Sequence, residues 1–191
     1  LATLVSLTVG VFYGAVAGYS GGIVDGIMMR ILDGFLAIPR LLLLFGILAA
    51  WPQLSIGALI MFLGFTGWFG VSRIVRGQVL ALKHAEFVTA AQALGATRGR
   101  ILVRHLLPNL ISPIVVAATL GVAHVIVLEA GLSYLGIGVP QPLASWGNII
   151  QDGADQVAAL WWMSLFPGLF MVLTVMTLNV MGESLRDAYD R

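Results

Sequence analysis

His84-Ala-Glu-Phe-Val-Thr-Ala-Ala-Gln-Ala-Leu-Gly95, continued by Ala96-Thr-Arg-Gly-Arg-Ile-Leu-Val-Arg-His-Leu-Leu-Pro108-Asn109, is the least apolar stretch of a chain otherwise made of long apolar runs. Phe87, Ala90, Ala91 and Leu94 recur at the i, i+3, i+4 and i+7 positions of one helical face, and Gly95 stands where a helix ends on a positive φ. The spacing predicts a short helix, followed by a second one that leads back into apolar sequence. A helix this short is marginal alone. Its face needs a cover, either a groove on another protein or a lipid interface. The small side chains of Ala90 and Ala91 favour protein docking, because interfacial helices carry larger apolar anchors.

Outward from this stretch the composition is that of a membrane protein. Of 191 residues, 59% are hydrophobic and 10% charged, against about 25% charged in a soluble domain. A helix crosses about 30 Å of hydrocarbon in about 20 residues. On that measure five spans are predicted, Leu1 to Tyr19, Leu32 to Trp51, Ile56 to Val75, Leu106 to Leu128 and Leu160 to Val180, within a single all-α domain over 1–191.

The ten basic residues, Arg30, Arg40, Arg73, Arg76, Lys83, Arg98, Arg100, Arg104, Arg186 and Arg191, leave 106–185 free of Lys and Arg. Lys and Arg collect in cytoplasmic loops, so the loop 83–105 is predicted inside and the segment 133–159 outside. Alternation places the loop Gly21 to Arg30 and the tail Glu183 to Arg191 inside as well, and a short turn at Pro52 and Gln53 outside. The C-terminus is then cytoplasmic. Leu1 falls outside, so a cytoplasmic N-terminus calls for one more helix upstream. No signal peptide is read at Leu1, which lies within an apolar run.

Several function classes are disfavoured. A nucleic-acid surface needs a basic face with aromatic platforms, whereas these bases flank apolar runs. With no cysteine, thiolate metal sites and cysteine nucleophiles are excluded. His84 and His105 belong to the inside loop and His124 to the other side, so no metal site is expected. No phosphate-binding Gly-x4-Gly-Lys-Ser/Thr occurs, and the single lysine, Lys83, lacks that context. A membrane enzyme would need His, Asp and Glu clustered at one depth. A secondary transporter or channel, the alternative reading, would need carboxylates deep in the spans, where few are found.

Ionisable residues inside spans are candidate functional groups because burying them in lipid is costly. Arg40, His124 and Glu129 are the candidates for a translocation path. Arg40, placed in the inner leaflet, can instead snorkel or pair with Asp33. His124 and Glu129, near the outer end of the fourth span, can instead hydrogen-bond neighbouring helices. Gly14, Gly18, Gly64, Gly67 and Gly70 recur at spacings that let helix backbones approach, within one bundle or at a subunit interface. The outer segment, with Trp146, Asp152 and Asp155, suits a docking or path-capping loop, and Trp146, Trp161 and Trp162 suit interfacial anchoring.

The stretch around Gly95 resembles the coupling loop of ABC importer permeases, whose pattern is Glu-Ala-Ala, three residues, Gly, nine residues, Ile, one residue, Leu-Pro. Ala90, Ala91, Gly95, Leu107 and Pro108 match it; Thr89 replaces the Glu and His105 the Ile. Glu86-Phe87-Val88, Arg104-His105 and Pro108-Asn109 are similar to the dipeptide, oligopeptide and nickel branch. So are Ala17-Gly18-Tyr19, Leu128-Glu129-Ala130-Gly131-Leu132-Ser133-Tyr134, Ser145-Trp146-Gly147-Asn148 and Phe166-Pro167-Gly168. The resemblance is to the second, C-type permease subunit, without that family's first helix.

The resemblance implies a type I importer permease fold in a bacterial inner membrane. The chain would form half of a path for peptides or nickel chelates and would itself carry no catalytic site and no cofactor. ATP and Mg would be bound by two ATPase subunits, with a second homologous permease subunit and an extracytoplasmic binding protein as further partners. Glu86, Phe87, Thr89, Ala90, Ala91, Leu94, Gly95, Arg98, Arg104, His105 and Pro108 would couple the chain to the ATPases.

Overall fold

A computed structural model describes residues 1–50, 55–140, 142–154 and 156–189. The turn expected at Pro52 and Gln53 lies outside them, as do Trp51, Asp155 and Arg191. The elements are α1 (Ala2–Ser20), α2 (Gly22–Leu36), α3 (Arg40–Ala50), α4 (Ile56–Leu82), α5 (Glu86–Ala93), α6 (Arg98–Ile101), α7 (Ile111–Tyr134), α8 (Trp146–Ala154) and α9 (Val157–Tyr189). A π turn at Leu102–Leu106 and a 3-10 turn at Leu107–Leu110 carry α6 into α7 without a break in the rod.

Four stretches among the described residues are long and apolar enough to cross a bilayer: Ala2–Ser20, Ile56–Leu82, Arg98–Tyr134 and Ala158–Tyr189. The continuous span expected over Leu32 to Trp51 is not formed. Its first part closes α2, and α3 starts afresh at Arg40. Pro39 accounts for the break, since it has no N–H to give and disfavours a helical Ile38 before it.

The second departure concerns charge. The segment expected as an inside loop at Gly21 to Arg30 is largely helical, and α4 runs past Val75, the expected end of the third span, to Leu82. Gly21 and Gly22, with φ of 63° and 55°, reverse the chain so that α2 returns along α4. There Arg76 donates from Nε to Asp25 Oδ1 at 2.5 Å and from Nη2 to Asp25 Oδ2 at 2.6 Å. Arg73 donates to Asp33 Oδ1. Paired charges can continue a helix where isolated ones would have to end it at water. Below this pair Leu32 is fully buried against Trp68 and Phe69, and Phe35 stacks on Phe69 at 5.7 Å.

The Arg76 guanidinium holds the Asp25 carboxyl below the usual carboxylate range, chiefly through the hydrogen bonds. The contribution of this pair is complete above the unfolded carboxylate pKa and is lost as pH falls through the lowered folded value. Stability should therefore be level around neutrality and decline only in acid. Asp25→Asn should cost about 1–3 kcal/mol at neutral pH, seen as a lower apparent Tm in detergent and a weaker acid dependence.

The α1 and α4 backbones touch. Gly10, Gly14 and Gly18 on α1 face Val71, Ser72 and Arg76 with Val79, while Gly64 and Gly67 on α4 face Val5 and Ser6. Ser6 Oγ donates to the Gly64 carbonyl at 2.8 Å. Gly14, Gly18, Gly64 and Gly67 thus serve packing inside one bundle, whereas Gly70 has nothing within 4 Å of where a Cβ would be.

Candidate coupling surface and translocation path

At one end of the bundle, α5 is seated by the core. Val88 (0% exposed) and Ala91 (7%) are buried in a cluster with Val75, Val79, Ile101, Leu106 and Leu110. The opposite side presents Phe87 (40% exposed) and Leu94 (88%), with Ala90 also exposed. The expected apolar face is therefore divided: Ala91 turns inward and Val88, absent from the sequence reading of that face, joins it. A single residue of rotation separates the two sets, so periodicity alone could not assign them.

Gly95 ends α5 at φ 79°. Its N–H donates to the Gln92 carbonyl at 2.9 Å and the Ala96 N–H to the Ala91 carbonyl at 3.0 Å, the paired bonds of a Schellman cap. Thr97 then opens α6 by accepting from the Arg100 N–H through its hydroxyl at 3.4 Å. Thr89 turns its hydroxyl back on its own helix, donating to the Glu86 carbonyl at 2.9 Å. Glu86, Arg98, Arg104 and Pro108 are exposed and His105 is half-buried.

Pro108 takes an N–H out of the rod, and the helix responds with the π and 3-10 turns around it. Asn109 Nδ2 donates to the His105 carbonyl at 2.6 Å, satisfying an acceptor at this irregularity. Ile101, Leu106 and Leu110, along the same rod, are buried in the cluster that holds Val88. Packed side chains thus connect α5 to the rod that enters α7.

Arg40 and His124, named separately from the sequence, come together. Arg40 Nη1 donates to His124 Nε2 at 2.9 Å, and Nη2 donates to the Leu63 carbonyl at 3.4 Å. The expected pairing of Arg40 with Asp33 is not made, because Asp33 is taken by Arg73. α7 continues to Tyr134, ten residues or about 15 Å beyond His124, and Leu63 is about 10 Å into α4, so the contact lies within the helical bundle rather than at its ends. It borders a cleft of about 460 Å³ lined also by Phe35, Pro39, Thr66 and Phe69.

Glu129 lies apart from this pair, in a network of its own. Its carboxylate accepts from Ser133 Oγ at 2.6 Å, and Ser133 Oγ accepts in turn from the Val139 N–H at 3.0 Å. Asn148 Nδ2 donates to the carbonyls of Val139 and Leu143 at 3.0 and 3.3 Å. The segment expected as an outer loop thereby becomes a tied turn followed by α8, which packs on α7 and α9. Glu129→Gln should keep the Ser133 bond and leave stability within about 0.5 kcal/mol, whereas Ser133→Val should cost about 1–3 kcal/mol by stranding the Val139 N–H; thermal unfolding of the two variants checks this.

The fold and these two features define a polytopic helical membrane component that carries a short seated helix with an exposed apolar side at one end and an Arg40–His124 contact within the bundle. The chain belongs to the family of binding-protein-dependent transport system inner membrane components, which matches residues 10–191. It is 44% identical over 189 residues to the oligopeptide transport system permease protein OppC of Bacillus subtilis, covering 99% of this chain and 62% of that protein. The dipeptide permease DppC of the same organism is 43% identical over 191 residues, covering 100% and 59%. OppC of Escherichia coli K12 is 40% identical over 170 residues, covering 89% and 56%. The chain thus spans about three fifths of the length of the curated relatives it matches. Among solved structures, an inward-facing MetNI methionine ABC transporter chain shares the fold with a TM-score of 0.67 and 22% identity, covering 100% of this chain and 94% of that one.

Proposed function

We propose that this chain is the C-type permease subunit of an ATP-driven importer and forms half of the path for dipeptides or oligopeptides. The observation that carries the reading is α5, locked to the bundle by Val88 and Ala91 while Phe87, Ala90 and Leu94 face outward. An exposed apolar face on a firmly seated helix suits a partner that pushes. The peptide cargo is supported by the oligopeptide and dipeptide permeases among the relatives.

In this reading α5 and the C-terminus are cytoplasmic, and two ATPase subunits dock on Phe87, Ala90 and Leu94, with Glu86, Thr89, Arg98, Arg104 and His105 around them. ATP and Mg belong to those subunits, and the chain itself carries out no catalysis. A second permease subunit completes the path, and an extracytoplasmic binding protein delivers cargo at the α8 end. Closure of the ATPases moves α5, and the rod from Arg98 to Tyr134 carries that movement past Pro108 to the region of Arg40 and His124.

The test is co-purification from membranes in which all subunits are co-expressed. The wild-type chain should bring down the ATPases, and Leu94→Asp should reduce their recovery at least about tenfold, with membrane abundance unchanged, because a carboxylate would be buried in an apolar contact. Ion-driven peptide uptake by the purified chain alone would overturn the proposal.

A further inference from the structure

Arg40, Arg73 and Arg76 lie on or against α4, and Arg40 differs from the other two. Arg73 and Arg76 each have a carboxylate, Asp33 and Asp25. Among the described residues no carboxylate pairs with Arg40. Its contacts are a neutral imidazole nitrogen and a backbone carbonyl, and its Nε is shielded from water without a partner. A guanidinium only donates, so His124 Nε2 must accept and its ring must be uncharged in this contact. These contacts orient the guanidinium without neutralising it.

An uncompensated cation shielded inside a membrane-spanning bundle is costly, and such groups mark the routes of charged cargo. The cleft beside Arg40 holds about 460 Å³ and is lined by the stacked rings of Phe35 and Phe69 together with Leu36, Ile38 and Leu43, within the size range of small-ligand sites. Apolar walls around one fixed cation would bind an anion with an apolar body. A guanidinium suits a carboxylate best, through its planar fork of N–H groups.

We propose that Arg40, oriented by His124, receives the C-terminal carboxylate of the peptide cargo as it crosses the membrane. This rests on the peptide-importer reading. The carboxylate is the group that peptides share whatever their side chains, so a cation reading only that group accepts varied sequences. The aromatic walls then accommodate the variable part by apolar contact.

The experiment uses the complete transporter, both permease subunits, the ATPases and the binding protein, in proteoliposomes. ATP-dependent uptake is measured for an apolar tripeptide and for its C-terminal amide. The wild type should prefer the free acid, and Arg40→Gln should lower free-acid uptake at least about tenfold, the worth of a lost charge-assisted hydrogen bond, with amide uptake changing less than about twofold. Arg40→Lys, which keeps the charge, should retain most of the preference, and equal membrane abundance of both variants shows that folding is intact. An unchanged acid-to-amide ratio in Arg40→Gln overturns the proposal. Equal loss of both cargoes, with loss of the second permease subunit on purification, assigns the carboxylate to that subunit and likewise overturns it. If the wild type imports neither peptide with ATP, it is the importer reading that fails.

Discussion

Gly14→Leu is expected to keep α1 from seating on α4, leaving little folded protein in the membrane. A Cβ on Gly14 would overlap the carbonyl oxygen of Ser72, and on Gly18 it would lie 2.9 Å from the Arg76 carbonyl and 3.0 Å from Val79 Cβ. Backbone cannot swing aside as a long side chain can, so the helices must separate along their length. Separation would also remove the Ser6 bond to the Gly64 carbonyl. In lipid, water does not drive these helices together, and close packing carries the association. Overpacking costs about 1–3 kcal/mol at an ordinary core site, and a backbone clash at a helix crossing should reach or exceed the top of that range. Gly77→Ala, where nothing lies within 4 Å, should be neutral or slightly stabilising because alanine favours the helix. Fluorescence-detected size exclusion of the two variants would show a lost monodisperse peak for the first and an unchanged one for the second; a normal peak for Gly14→Leu would contradict the packing described.

Gly95→Val should abolish most transport while leaving membrane insertion and the bundle intact. The glycine holds φ 79° at the end of α5 and has nothing within 4 Å of where a Cβ would be, so the effect is one of backbone conformation alone. Left-handed geometry costs about 1–2 kcal/mol for an ordinary residue, and more for a β-branched one. Valine would unwind the Schellman bonds from Gly95 and Ala96 and swing Leu94 away from Phe87. A graded series follows, with asparagine, which tolerates this region, mildest, alanine intermediate and valine most severe. Uptake should fall at least about tenfold for valine, measured alongside membrane abundance. Normal uptake with valine at this position would remove α5 from the coupling path.

The legible part of the site was the part written in local sequence. Gly95, followed by the Thr97 cap and Pro108, lies in a contiguous stretch whose turn chemistry acts over a few residues, and the short helix forms there. The bundle itself was legible because lipid demands long apolar runs. Misreadings arose where a residue's meaning came from a distant partner. Arg73, inside the expected third span, and Arg76, just beyond it, could not be paired from the sequence because their carboxylates, Asp33 and Asp25, are 40 and 51 positions away. For Arg40 the sequence offered Asp33, near in the chain, as one possible partner, whereas His124, 84 positions distant, is near in space.

Composition and short-range spacing suffice for a helical membrane bundle with a short helix between two of its spans, because hydropathy and caps act over a turn or a span. Which side of α5 faces out, where the second apolar run breaks, and whether Arg40 meets an imidazole or a carboxylate depend on how α2, α4 and α7 pack together. Those outcomes belong to the folded molecule, since a buried charge or a helix face acquires its energy from whatever the rest of the chain places beside it.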